Sequence, residues 1–124
     1  MSPEPRHDDR LLARESLSTG WLASRIGVDP GRIEAMRRGG ELLGVRAAAG
    51  GDYRFPAWQF NGGRTALPVV QELIREARAA GLDDDALYEI MSRRSGMGGR
   101  RLTEYLRDGD YDYVRRAVRS ALRR

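Results

Sequence analysis

The stretch "SRIGVDPGRIEAMRR", residues 24–38, decides how the chain is read. Apolar residues at helical spacing end at Gly27, and a second helical pattern starts at once behind Asp29 and Pro30. Proline loses nothing at a first helical position, where its missing N–H would have no partner. Asp29 is the matching N-cap. The second pattern contributes only Ile33 and Met36 to an interior and carries Arg32, Arg37 and Arg38 outside. A helix so poor in core residues makes physical sense if its outer face is meant for a ligand. Two short helices joined by a glycine-containing turn are the helix-turn-helix pattern, whose second helix enters the major groove of DNA.

Working outward, Ser18 or Thr19 caps the first of these helices, in which Leu22, Ala23 and Ile26 face inward. With Val28, Ile33 and Met36 these form a small core, and Gly27 takes the left-handed turn. Behind Gly39 and Gly40, "ELLGVRAAAGGDYRFP" alternates Leu43 and Val45 with Gly44 and Arg46, and Tyr53 and Phe55 with Arg54. Alternation on both sides of the small residues 47–51 predicts a two-stranded hairpin. Directly after a recognition helix, such a hairpin reads either as a wing, with Arg46 and Arg54 toward the sugar-phosphate backbone, or as a structural cover on the helices.

The expected contacts to duplex DNA are therefore Arg32, Glu34, Ala35, Arg37 and Arg38 on the helix, and Arg46 and Arg54 on the hairpin. Arginine forks suit guanine edges and phosphates, Glu34 suits a cytosine amino group, and Gly31 and Ala35 allow close backbone approach. A dimer would set two such helices about 34 Å apart on a palindromic site.

The second half has a different pattern. Residues 61–66 read as a linker, and helical periodicity then runs through Val70, Leu73, Ile74 and Ala77 to Gly81. Asp83 caps a helix with Leu87, Ile90 and Met91, and a short helix with Leu102, Tyr105 and Leu106 follows the "SGMGGRR" loop. Asp110 caps a last one with Val114, Val118, Ala121 and Leu122. The predicted fold is mainly α with a small β-hairpin: a leader with a short helix begun by Asp8 or Asp9 (1–17), a winged helix-turn-helix (18–60), a linker (61–66) and a four-helix partner-binding or dimerisation domain (67–124). Residues 113–124 hold five arginines and no acid. They read as a helix end that favours cations, or as a contact for phosphates or an acidic partner.

Composition limits the alternatives. All 22 basic residues among the 124 are arginine, the formal charge is +4, and the pI is near 10.1, which favours an anionic partner. Cysteine is absent, and the single histidine, His7, sits in a polar leader, so thiolate and histidine metal sites are not expected. Asp108, Asp110 and Asp112 lack the glycine and glutamate that a calcium loop needs, because Tyr113 and Arg119 stand there. "SGMGGRR" lacks both the spacing and the lysine of a phosphate-binding loop. Trp21, Trp58, Tyr53, Phe55 and Phe60 read as packing residues rather than a base-stacking platform. No convergent acid, base or nucleophile is visible, so neither an enzyme nor a cofactor is expected. No apolar run nears the roughly 18 residues that span a bilayer, and "MSPEPRHDDR" is unlike a signal peptide, so a cytoplasmic protein that avoids membranes is expected.

"WLASRIGVDPGRIEAMRRGGELLGVRAAAGGDYRFPAWQF" resembles the winged helix-turn-helix of small bacterial and phage regulators of the MerR or excisionase type. "LPVVQELI" and "MSRRSGMGGRRLTEYLRDGDYDYVRRAVRSAL" are similar to the C-terminal domain of Xre/MbcA/ParS antitoxins, although Arg101 and Thr103 stand near where that family tends to have proline. The first resemblance implies a DNA-binding transcriptional regulator, acting as a repressor. The second implies an antitoxin-like alternative in which the last helix blocks a RES-domain toxin, through Arg115, Arg116, Arg119, Arg123 and Arg124.

Overall fold

The computed structural model describes residues 9–46, 51–60, 62, 65–94 and 99–123. His7, Asp8, the hairpin turn at 47–50, most of the 61–64 break, the glycine-rich loop at 95–98 and Arg124 lie outside the described residues. The described chain is mainly helical with one small antiparallel sheet.

Helix α1 (Asp9–Glu15) leads into strand β1 (Ser16–Ser18), and α2 (Thr19–Ile26) follows without a gap. The Ser18 side chain accepts a hydrogen bond from Trp21 N–H at 3.1 Å, so the same residue ends a strand and caps a helix. Gly27 is left-handed at φ 84°, and its N–H closes α2 onto the Ala23 carbonyl at 2.8 Å. Helix α3 (Pro30–Arg38) starts behind Asp29 in extended conformation, but the aspartate side chain makes no cap bond. Its position and Pro30 start the helix without it.

Strand β2 (Val45–Arg46) pairs with β3 (Tyr53–Pro56), as the alternation predicts, but the sheet has three strands in the order β1-β3-β2. The pairing Leu17↔Phe55 places β1 on the other side of β3. The hairpin is thus supported by a third strand as well as by helices, which answers the marginal stability of isolated hairpins. A 3-10 turn, Ala57–Gln59, leads out of β3.

Four helices follow: α4 (Pro68–Ala79), α5 (Asp84–Ser92), α6 (Leu102–Arg107) and α7 (Tyr111–Leu122). Asp83 caps α5 by accepting from Ala86 N–H at 2.9 Å, whereas Asp110 at the start of α7 makes no side-chain cap bond. The flanks of the glycine-rich loop meet as an antiparallel bridge between Arg94 and Arg101.

Two apolar clusters hold these elements. The smaller joins Leu22, Ala23, Ile26, Ile33 and Met36 to Leu42 and Phe55, with Val28 at its margin. The larger gathers the inward faces of α4 to α7, and it also takes Leu12 of α1 together with Leu43 and Val45. Ala66, the last residue of the stretch read as a linker, is held by the chain: its N–H bonds Glu41 O at 3.2 Å, and next to it Leu67 N–H bonds Gln59 O at 2.8 Å.

Candidate nucleic-acid interface

Helix α3 is divided sharply along its length. Ile33 and Met36 are buried against α2, while Gly31, Arg32, Ala35 and Arg38 are exposed. No hydrogen bond or ion pair with the described residues engages the Arg32 side chain, whose backbone N–H bonds the Asp29 carbonyl at 2.9 Å. The Arg38 side chain is 72% exposed and only loosely paired, Nε to Glu34 Oε1 at 3.4 Å.

Arg37 differs from its neighbour. Its side chain is 15% exposed, its guanidinium grips the Glu34 carboxylate, and it lies 3.9 Å from the centre of the Tyr53 ring. Arg46 lies over the same ring at 5.1 Å while remaining exposed. The Arg37 hydrogen bond holds the Glu34 carboxyl below its usual value, and the same bond raises the guanidinium. Gly44 makes this packing feasible, because a Cβ there would stand 2.6 Å from Arg37 Cδ and 3.0 Å from Phe55 Cε1. Arg37 and Glu34, both expected on DNA, are engaged with each other, and Arg37 also with the hairpin.

Arg54 is likewise spent inside the chain. Its Nε donates to Ser16 Oγ at 3.0 Å and its Nη2 to Ser16 O at 2.9 Å, and Ser16 Oγ in turn donates to the Leu12 carbonyl. A half-buried arginine on the central strand therefore binds β3 to β1 and α1 instead of projecting toward a phosphate. Of the two hairpin arginines, Arg46 is the exposed one.

The basic end of the chain also divides. Arg115 donates to Glu72 at 2.7 Å and Arg119 to Glu76 at 2.9 Å, two rungs that tie α7 to α4. Arg115 further pairs with Asp112 at 3.0 Å. The Arg115 hydrogen bond lowers the Glu72 carboxyl from its usual value and raises the guanidinium. Arg116 and Arg123 are exposed, and Arg124 lies outside the described residues.

Among the aromatic residues, Phe55 is buried, Trp58, Tyr53 and Phe60 are partly buried, and Trp21 is 51% exposed with Arg25 stacked 5.4 Å from its ring. Trp21 is thus not the packing residue expected of it, and Arg25 was not foreseen as its companion. The signal was present: with Leu22, Ala23 and Ile26 inside, helical spacing puts positions 21 and 25 together on the other face. Among the described residues, no group of three carboxylates or histidines is arranged for a metal, and no helix is long and apolar enough to cross a membrane.

No family model matches the chain, and no curated protein matches it. A solved structure titled "NMR structure of Rv2175c" is similar, with a TM-score of 0.69 and 20% identity over 86% of this chain and 80% of that one. At that identity the likeness concerns the fold, and it extends over both halves rather than the hairpin or the helices alone.

Proposed function

We propose that the chain is a sequence-specific duplex-DNA-binding regulator in which α3 enters the major groove and the β2–β3 hairpin lies as a wing along the backbone. The observation that carries this reading is the uncovered outer face of α3. Gly31 and Ala35 give the helix a low profile, and Arg32 and Arg38 extend from that face with little internal engagement. Arg46 supplies the wing with a cation, and bidentate arginine contacts to guanine are worth about 1–3 kcal/mol of discrimination. Bound as a dimer at a palindromic operator, the protein would repress by occupying promoter DNA. The antitoxin-like alternative finds less support, since Arg115 and Arg119 already serve Glu72 and Glu76.

The test is selection from a random duplex library, followed by affinity measurement across a salt series. A regulator of this kind enriches a palindrome and loses affinity steeply with salt. Arg32→Ala should cost about 1–3 kcal/mol on the enriched site and relax preference at one position of each half-site. Equal loss on enriched and random duplex would rule out base reading by Arg32, and no enrichment by the native protein would remove the reading altogether.

A further inference from the structure

Arg78 belongs to α4, 40 residues beyond α3, yet its guanidinium sits at the end of α3. Nη1 donates to the Arg38 carbonyl at 2.8 Å and Nη2 to the Arg37 carbonyl at 2.9 Å. These are carbonyls of the last helical turn, which carry the negative end of its dipole; the Arg37 carbonyl also accepts from Gly40 N–H at 3.1 Å, so Arg78 adds a second donor there. The fork is held from behind by Asp84 in the first turn of α5, with Nε to Oδ1 at 3.1 Å and Nη2 to Oδ2 at 2.9 Å. Asp84 is largely buried, and a bidentate arginine–carboxylate pair has little angular freedom. Gly40, buried beside Arg78 and Ile74, is left-handed at φ 78°, a conformation that favours glycine at the turn leaving α3.

We propose that Arg78, held by Asp84, is a positioning residue for DNA reading: it fixes where the exposed face of α3 stands relative to the hairpin, and so sets sequence discrimination. The inference rests on the DNA-binding reading above. Helix α3 is packed laterally on α2, and its C-terminal end, which carries Arg38, is tied to the hairpin by Arg37 over Tyr53 and to α4 and α5 by Arg78 and Asp84. Base contacts depend on sub-ångström placement of a side chain, whereas phosphate contacts by long arginines tolerate displacement. Loss of the Arg78 anchor should therefore degrade selectivity more than attraction to DNA.

The experiment compares the native protein with Arg78→Lys and Asp84→Asn on an enriched duplex and on random duplex, over a salt series, with thermal melting in parallel. A lysine ammonium cannot bridge two carbonyls and a carboxylate fork in the same plane. For Arg78→Lys the ratio of enriched to random affinity should fall roughly tenfold or more, while random-duplex affinity and the salt slope stay as in the native protein. Asp84→Asn should move the ratio in the same direction with less loss of folding, and it decides the matter if Arg78→Lys does not fold. A ratio unchanged at temperatures where both variants are folded overturns the proposal and leaves the cluster a purely structural clamp. A salt slope shallower by about one for Arg78→Lys also overturns it, because Arg78 would then be a phosphate contact. Absence of any preference or salt dependence in the native protein is a separate result, which removes the DNA reading itself.

Discussion

The side-chain amide of Gln59 pairs with both backbone polar groups of Leu43. Leu43 N–H donates to Gln59 Oε1 at 2.7 Å, and Gln59 Nε2 donates to Leu43 O at 2.9 Å and to Pro56 O at 3.0 Å. Gln59 is fully buried, so this amide replaces a missing strand partner between the smaller core and the larger one. Gln59→Leu should strand one N–H and weaken two carbonyls without altering volume much. The expected loss is about 2–4 kcal/mol in urea unfolding, and a variant as stable as the native protein would show that the amide is dispensable.

Gly44 sets a second prediction. A methyl group there collides with the middle of the Arg37 side chain and with the buried Phe55 ring, neither of which is a free end. Gly44→Ala should destabilise by about 1–3 kcal/mol and displace Arg37 from Tyr53. The tyrosine's fluorescence or ring proton shifts would report that displacement.

The two hairpin arginines should separate cleanly. Arg54→Ala removes the half-buried bonds to Ser16 and should lower stability by about 1–2 kcal/mol while the salt slope of DNA binding stays constant. Arg46→Ala should leave the melting temperature nearly unchanged and reduce that slope by about one. An interchange of these outcomes would assign the wing contact to Arg54.

Acid should weaken the fold through Glu34 and Glu72. Both carboxyls are held below their usual value by hydrogen bonds from Arg37 and Arg115 respectively. Their contribution is thus complete above the unfolded glutamate value of about 4.3 and is lost as pH falls through the lower folded values. The urea midpoint should decline below about pH 4.3, and Glu72→Gln should flatten that decline while lowering the midpoint slightly at neutral pH. A pH profile identical to that of the native protein would mean that the Glu72–Arg115 rung contributes nothing.

The sequence reveals the helices well because apolar residues at helical spacing are bounded by caps, prolines and glycines. The turn at Gly27, the start of α3 and the run of α4 to α7 are all visible in that way. Strand β1 is not, since Ser16–Ser18 is too short for alternation to register and Ser18 also bears the signature of a helix cap. The candidate interface is legible to the level of a helix face but not to single side chains. Arg37 and Arg38 are adjacent and chemically alike, and only the tertiary placement of Tyr53 and Gly44 turns one inward. Arg54 and Arg78 are equally opaque, because Ser16 lies 38 residues from Arg54 and the α3 carbonyls lie 40 and 41 residues from Arg78.

Leu12, Leu43 and Val45 are sequestered among the C-terminal helices rather than beneath α2 and α3. Excising residues 18–60 would therefore bare the inner side of the hairpin and deprive the helical half of Leu43 and Val45, two of its own plugs. Moving α2, α3 and the hairpin onto another scaffold would mean carrying much of the remaining polypeptide with them.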